Sequence, residues 1–370
     1  MSDPISLYLH IPFCKNKCPY CDFYSGRASE PDYNKYTEKM EECIVSWSRK
    51  TDRRISTIYF GGGTPSTLGA ERLSLLLRTI HTCFCVDTNA EITVEVNPDT
   101  GKDFDFRLLR ESGFNRVSIG FQTAIEHELK ALGRIHTADE ASLTVTRAQR
   151  AGIHNVSLDL MLGIPYQTID SLKESIDFCA GCGVKHISCY LLKIEHGTPF
   201  YEMQTHLELA DDDRQAELYL FAVNYLEELG LHQYEISNFA KDGFESRHNS
   251  AYWRCGEYIG IGPSAHSFFE GKRFYYKRSM HDFEENSIVV DGDGGDENEW
   301  IMLSLRLKRG LIFREFEEKY HHPLSCHQMK KIGIYTSAGF MKTDEKHTCL
   351  TSKGFLVSNA VIAELLSNEI

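Results

Sequence analysis

Six short apolar runs punctuate the first two-thirds of the chain: Ile5–Leu9, Ile55–Phe60, Ile92–Val96, Arg116–Gly120, Val156–Leu162 and His186–Leu191. Runs of this length, bounded by polar or glycine-rich segments, predict β-strands. Between them apolar positions recur at helical spacing, as at Leu73, Leu76, Leu77 and Ile80, or Ile169, Leu172, Ile176 and Cys179. Alternating strands and helices predict an α/β fold with a parallel sheet. Six strand units predict a partial (β/α)6 barrel rather than a closed one of eight. A further helix is predicted from Asp213 to Leu229. Leu218, Phe221, Ala222, Tyr225, Leu226 and Leu229 form its core stripe, and Gly230 is its stop.

Polar residues gather where these runs end. The first leads into three cysteines. The second ends in Gly61-Gly62-Gly63-Thr64-Pro65, the third carries Glu95 and Asn97, and the fourth leads to Gln122. The fifth carries Asp159 and reaches Gly163-Ile164-Pro165, and the sixth stops near Leu192 and Lys193. In parallel α/β barrels the C-terminal strand ends form the active-site face. One mouth built from six strands is therefore expected.

Beyond residue 235 the pattern becomes irregular and aromatic. Asp291 to Glu297 lacks the ligand spacing of a calcium loop and reads as a solvated turn. From Trp300, short amphipathic helices around Trp300–Leu307, Arg314–Tyr320 and Ser325–Ala338 precede a hairpin, Phe340–Leu350. A last helix is predicted over Gly354–Leu366. This order suggests a small α+β, winged-helix-like module. Three parts are expected: a core barrel at 1–235, an aromatic and glycine-rich segment at 236–295 that closes the site, and the C-terminal module at 296–370.

Composition narrows the partners. A formal net charge of −13 over 370 residues argues against nucleic acid as the main partner. Residues 301–370 carry only a slight excess of Lys and Arg, too little for a DNA-reading face. No apolar run is long enough to span a bilayer. No targeting segment is visible before Cys14, so a cytoplasmic protein is expected. The 12 cysteines are not dense enough for a disulfide scaffold. Cys179 and Cys182, like Cys83 and Cys85, fall at predicted helix ends and read as inert thiols.

Cys14, Cys18 and Cys21 are different. Their C-x3-C-x2-C spacing puts three thiolates on one polar loop after a strand. Three protein ligands suit a 4Fe-4S cluster with one iron left open. A structural zinc site normally has a fourth nearby Cys or His, and Asp22-Phe23-Tyr24-Ser25 supplies none. Zinc completed by a distant His is the alternative.

The stretch Tyr8-x-His10-Ile11-Pro12-Phe13-Cys14-x3-Cys18-Pro19-Tyr20-Cys21 resembles the radical S-adenosylmethionine (radical SAM) superfamily. Within it, the chain is similar to the oxygen-independent coproporphyrinogen III oxidase family, and most to that family's heme chaperone branch. The resemblance implies a radical SAM core that cleaves the SAM sulfonium reductively. It implies cofactor contacts from Tyr8, Tyr20, Gly62, Gly63, Thr64, Glu95, Gln122, Arg134, Asp159, Ala265 and His266. Two departures from the oxidase pattern stand out. Phe23 occupies the place of a further cysteine, and the oxidase's longer N-terminal extension has no counterpart. Both point to the chaperone branch, as does His248-Asn249-Ser250-Ala251-Tyr252-Trp253, which matches its H-N-x-x-Y-W pattern. His248, Tyr252 and Trp253 are the heme candidates, since imidazole ligates heme iron and aromatic rings cover a macrocycle. The other reading of His248 is a packed, hydrogen-bonded residue. The implied function is to bind heme and pass it to an acceptor protein, with an unidentified electron donor. Oxidative decarboxylation of coproporphyrinogen III is the alternative, and a redox-dependent binding module the third possibility.

Overall fold

In the computed structural model, which describes residues 3–367, six parallel strands pair in chain order: β1 (Ile5–Ile11), β2 (Ile55–Gly62), β3 (Val86–Val96), β4 (Arg116–Gln122), β5 (Asn155–Leu162) and β6 (His186–Leu191). Helices Glu30–Ser48, Ala70–Cys83, Phe106–Ser112, Ala138–Arg150 and Ile169–Gly181 lie in the connections. Local chemistry sets where several of them start. Thr137 with Glu140, and Thr168 with Ser171, make reciprocal capping boxes that satisfy backbone donors otherwise left without partners.

Each strand separates its residues strictly by face. Leu7, Leu9, Ile58, Phe60, Val94, Val117, Ile119, Leu158 and Leu160 are fully buried in the main apolar core. The alternate positions carry Ser6, Tyr8, Thr57, Tyr59, Thr93, Glu95, Ser118, Asp159 and Ser188, and these meet inside the barrel. Register stacks them in layers: Tyr8 opposes Tyr59, Tyr59 opposes Thr93, Glu95 opposes Ser118, and Asp159 opposes Ser188. Parallel barrels commonly fill this space with branched apolar side chains. Here it is polar, which leaves hydrogen-bonding groups around a central space.

The sheet continues past both edges of the six strands. On β6 lies β8 (Asn238–Ala240), antiparallel, followed outward by β7 (His232–Gln233). The expected core boundary at 235 therefore falls inside a hairpin. On β1 lies β9 (Tyr258–Ile261), parallel, and then β10 (His266–Phe269), β11 (Lys272–Tyr276) and β12 (Ile288–Asp293), all antiparallel. The strand order runs open from β12 to β7, a partial barrel.

The C-terminal part has helices Glu297–Ser304, Phe313–Tyr320 and Cys326–Ser337 beside a small sheet of Leu311–Ile312, His347–Leu350 and Met341–Thr343. The single closing helix predicted from sequence is two, Ser352–Leu356 and Ser358–Leu366. They part at Val357, whose backbone leaves the helical region at φ −111° and ψ 20°. Thr351 caps the first by accepting from Gly354 N–H at 3.1 Å. Among the described residues, no helix is long and apolar enough to cross a membrane.

Candidate functional site

Strand β1 runs directly into the cysteine loop. Cys14 N–H donates to the Gly26 carbonyl and Gly26 N–H to the Pro12 carbonyl, both at 2.9 Å, closing the loop at its base. The turn after β2 is tied to it: Gly63 N–H donates to Ile11 and Thr64 N–H to Phe13, at 2.8 and 2.7 Å. Cys14, Cys18 and Cys21 are free, partly exposed thiols that line one cavity of about 370 Å³. Cys14 Sγ lies 3.4 Å from Thr64 Oγ1, and Arg134 Nη1 donates to Cys18 Sγ at 3.5 Å. Burial pushes the Cys21 thiol above its ordinary range, with Cys18 and Cys14 adding to the effect. A bound metal centre reverses that tendency, because a coordinating thiol is deprotonated. Three thiols line one cavity, with an Arg beside one of them, a donor set that suits an iron–sulfur cluster; among the described residues no three His, Cys, Asp or Glu side chains group closely enough for a single metal ion.

The other walls come from the successive strand ends. Gly62 ends β2 and Gly63 and Thr64 follow it, Glu95 comes from β3 and Asn97 follows it, Gln122 comes from β4, and Asp159 and Met161 from β5; Arg134 lies on a loop beyond β4. Gly62 has φ +113°, and a Cβ there would fall 2.8 Å from the His10 ring. Only glycine fits that turn without strain. Gly120 leaves room for two side chains: a Cβ there would meet Arg134 Nη2 and Asn97 Oδ1, both at 2.9 Å. Arg134 donates to the Gly120 carbonyl and to Asn97 Oδ1, while its buried Nε has no partner.

Two carboxylates face this space. Glu95 Oε1 accepts from the Tyr59 hydroxyl at 2.8 Å and Oε2 from Gly62 N–H at 3.2 Å. Even so, burial pushes Glu95 up to about 7. Burial likewise raises Asp159, opposed by the Ser188 and Ser118 hydroxyls and by Arg116 and Arg134. Among the described residues Glu95 makes no ion pair, and the more distant Arg116 charge only partly offsets its burial. A carboxylate in that state is matched to a ligand carrying positive charge.

The structure does not bring every expected residue to this cavity. Tyr20 lines it and packs edge-on against Phe200 at 6.0 Å. Tyr8 lies behind the wall, its hydroxyl 3.0 Å from His10 Nδ1. Neither Ala265 nor His266 lines the cavity. Strand β9 pairs edge to edge with β1 in the sheet, and at Gly262 a Cβ would fall 2.5 Å from the His10 carbonyl. The turn that follows thus backs onto β1, with Ala265 buried and His266 stacked on Tyr275 at 5.1 Å. No residue of 236–295 lines the cavity. Arg278 does reach the cysteine loop, where it binds the Asp22 carbonyl and carboxylate.

His248, Tyr252 and Trp253 form part of the helix Arg247–Trp253 beneath the barrel floor. His248 is fully buried. Its Nδ1 lies 2.7 Å from Thr57 Oγ1 and its Nε2 2.7 Å from the Tyr252 hydroxyl. Burial holds it down to about 3, so the ring is neutral. With both nitrogens engaged, it has no lone pair to offer a heme iron in this arrangement. Trp253 is half-buried, its indole N–H near the buried Glu235 carboxylate.

Several lining residues had no role assigned from sequence: Asn97, Ser118, Met161, Tyr190 and Phe23. The period of two could have found Ser118, Met161 and Tyr190, since they continue the inward faces of β4, β5 and β6. Phe23 lies in the cysteine loop and carries no such periodic signal. It stands at the cavity, 66% exposed.

A partial (β/α)6 barrel with a cysteine loop at the C-terminal end of β1 defines the class. The sequence model of the Radical SAM superfamily matches residues 8–179. Across 98% of its length the chain is 33% identical to the heme chaperone HemW of Bacillus subtilis, of which it covers 99%. Identity is 36% to that of Haemophilus influenzae, with 99% of each chain covered. A solved structure of coproporphyrinogen III oxidase (HemN) from Escherichia coli, a radical SAM enzyme, superposes with a TM-score of 0.82 at 21% identity. The match covers 98% of this chain and 90% of that one. The chain belongs to the HemW family of radical SAM proteins.

Proposed function

We propose that this chain binds heme and hands it to an acceptor protein in the cytoplasm. The observation that carries the reading is the end-to-end similarity to heme chaperones, at 32–36% identity over nearly all of both chains. The likeness to the oxidase is one of fold.

The barrel mouth is read as the place of a 4Fe-4S cluster and SAM. Cys14, Cys18 and Cys21 would hold the cluster. Gly62, Gly63, Thr64 and Glu95 suit the methionyl end of SAM. Gln122, Arg134 and Asp159 suit the carboxylate and ribose, and Tyr20 the adenine. Cluster and cofactor together supply one-electron cleavage of a carbon–sulfur bond when bound. Glu95 offers its carboxylate to an ammonium, Arg134 offsets thiolate charge, and the polar interior orients the ligand. Phe23 presents an apolar ring at the mouth, suited to the face of a macrocycle. An electron donor and a heme acceptor are the expected protein partners.

The test is anaerobic reconstitution followed by two parallel assays on the full chain. Hemin should bind near one equivalent, and coproporphyrinogen III should remain unconverted. Repeated turnover to protoporphyrinogen IX would replace this reading with the oxidase.

A further inference from the structure

The H-N-x-x-Y-W segment lies far from the cysteines along the chain, yet it reaches the cavity's carboxylate through one intervening ring. His248 stacks on Tyr59, with ring centroids 5.0 Å apart and planes at 26°. Tyr8 completes a three-ring cluster, 6.2 Å from Tyr59 and 6.5 Å from His248. The Tyr59 hydroxyl, at the other end of that ring, donates to Glu95 Oε1 at 2.8 Å. We propose that His248 is a positioning residue, which wedges Tyr59 so that its hydroxyl stays on Glu95 and holds that carboxylate ready for the cationic end of SAM.

Each link is fixed by a separate contact. Thr57 Oγ1 donates to Ser6 Oγ at 2.8 Å, so it accepts from His248. Nδ1 therefore carries the imidazole proton, and Nε2 accepts from Tyr252. The ring cannot rotate without losing two hydrogen bonds. Its backbone is held as well: Arg247 and His248 N–H groups donate to the two Glu91 oxygens at 3.0 and 2.9 Å. Glu91 and Glu95 lie on the same face of β3. The helix is thus pinned to the strand that carries the carboxylate it supports. His248 and Tyr252 serve this arrangement directly.

The charged and titratable groups facing Glu95 are Tyr59 from β2, Tyr8 from β1, Arg116 from β4 and Asp159 from β5. Of these, Tyr59 donates directly to the ionised form, and Asp159 opposes it. Losing the Tyr59 hydroxyl should make Glu95 harder to ionise, and loosening Tyr59 should do so in part.

The inference rests on reading the cavity as a SAM site, and its test reads Glu95 without SAM. Full-length protein carrying 13C-carboxyl glutamate is titrated by NMR, with Glu95→Gln identifying the signal. Tyr59→Phe should move the Glu95 midpoint up by ~1 unit, the worth of one hydrogen bond to a charged group. His248→Ala should move it the same way by less, and His248→Phe, which restores a ring against Tyr59, should bring it back. The double variant Tyr59→Phe/His248→Ala should match Tyr59→Phe alone, because the imidazole acts through that hydroxyl. An unmoved midpoint in His248→Ala, or full additivity in the double variant, overturns the proposal. If His248→Ala does not fold, Thr57→Val and Tyr252→Phe each unlock the imidazole and are read the same way. Isothermal titration with SAM on the reconstituted variants separates the two readings. Shifted midpoints with unaltered SAM affinity keep the positioning role and remove the cofactor assignment.

Discussion

One guanidinium nitrogen of Arg134 points at the sulfur of Cys18, 3.5 Å away, while another lies 3.2 Å from Asn97 Oδ1 and binds the Gly120 carbonyl. A single side chain thus joins the cysteine loop to the ends of β3 and β4. Its charge sits beside the cysteine loop, and its planar fork satisfies three directions at once. Arg134→Met should weaken SAM binding by about ten- to hundredfold, the cost of lost hydrogen bonds to a buried ligand. Arg134→Lys should recover only part, since a point charge cannot bridge all three. Isothermal titration after anaerobic reconstitution reads both. Asp159→Ala and Gln122→Ala should behave like Arg134→Met with the cluster intact; unchanged curves for all three would place SAM elsewhere.

The cluster assignment has its own control. Replacing Cys14, Cys18 or Cys21 with Ala should abolish the visible iron–sulfur absorbance of the reconstituted protein. Cys179 is fully buried in the core behind the sheet. Cys179→Ala should therefore retain the absorbance. Loss of the chromophore in a folded Cys179→Ala protein would refute the three-cysteine site.

Gly62→Ala tests the turn after β2. The new methyl would meet the His10 ring at 2.8 Å, on a backbone at φ +113°. Strain of this kind costs ~1–3 kcal/mol. A lower urea midpoint is expected, along with a loss of SAM affinity larger than the stability change, because Gly62 N–H also holds Glu95. Equal losses would mean that the turn is structural only.

Glu95 also sets a pH dependence. Its folded value, about 7, lies above the ordinary carboxylate value of 4.5. The folded state therefore binds this proton more tightly than the unfolded one. Its contribution to stability is present below pH 4.5 and declines as pH rises through 7. Binding of a cation runs the opposite way, since only the ionised form pairs with an ammonium. SAM affinity should fall up to tenfold per unit as pH drops below 7. Glu95→Gln should flatten that profile; an identical profile in the variant would exclude Glu95 from the effect.

Much of this could be read along the chain because it is local. The C-x3-C-x2-C loop lies within eight residues and follows its strand without a break. Glu95, Gln122 and Asp159 could be placed because each lies at or near the end of an apolar run, and a parallel barrel collects such ends on one face. What the alternation left open was which groups meet across the interior. His248 and Thr57 are 191 positions apart, and nothing in H-N-x-x-Y-W indicates that its imidazole will be locked under the floor. The pattern Gly260 to His266 likewise does not reveal that β9 would extend the sheet on β1, with Ala265 and His266 outside the cavity lining. By itself the sequence determined the strands and the cysteine loop, since period and spacing act over a few residues. The tertiary structure alone decided that the floor helix packs against Tyr59 and that Tyr59 and Gly62 are the hydrogen-bond partners of Glu95. Those facts depend on distant segments excluding water from the same few ångströms of space.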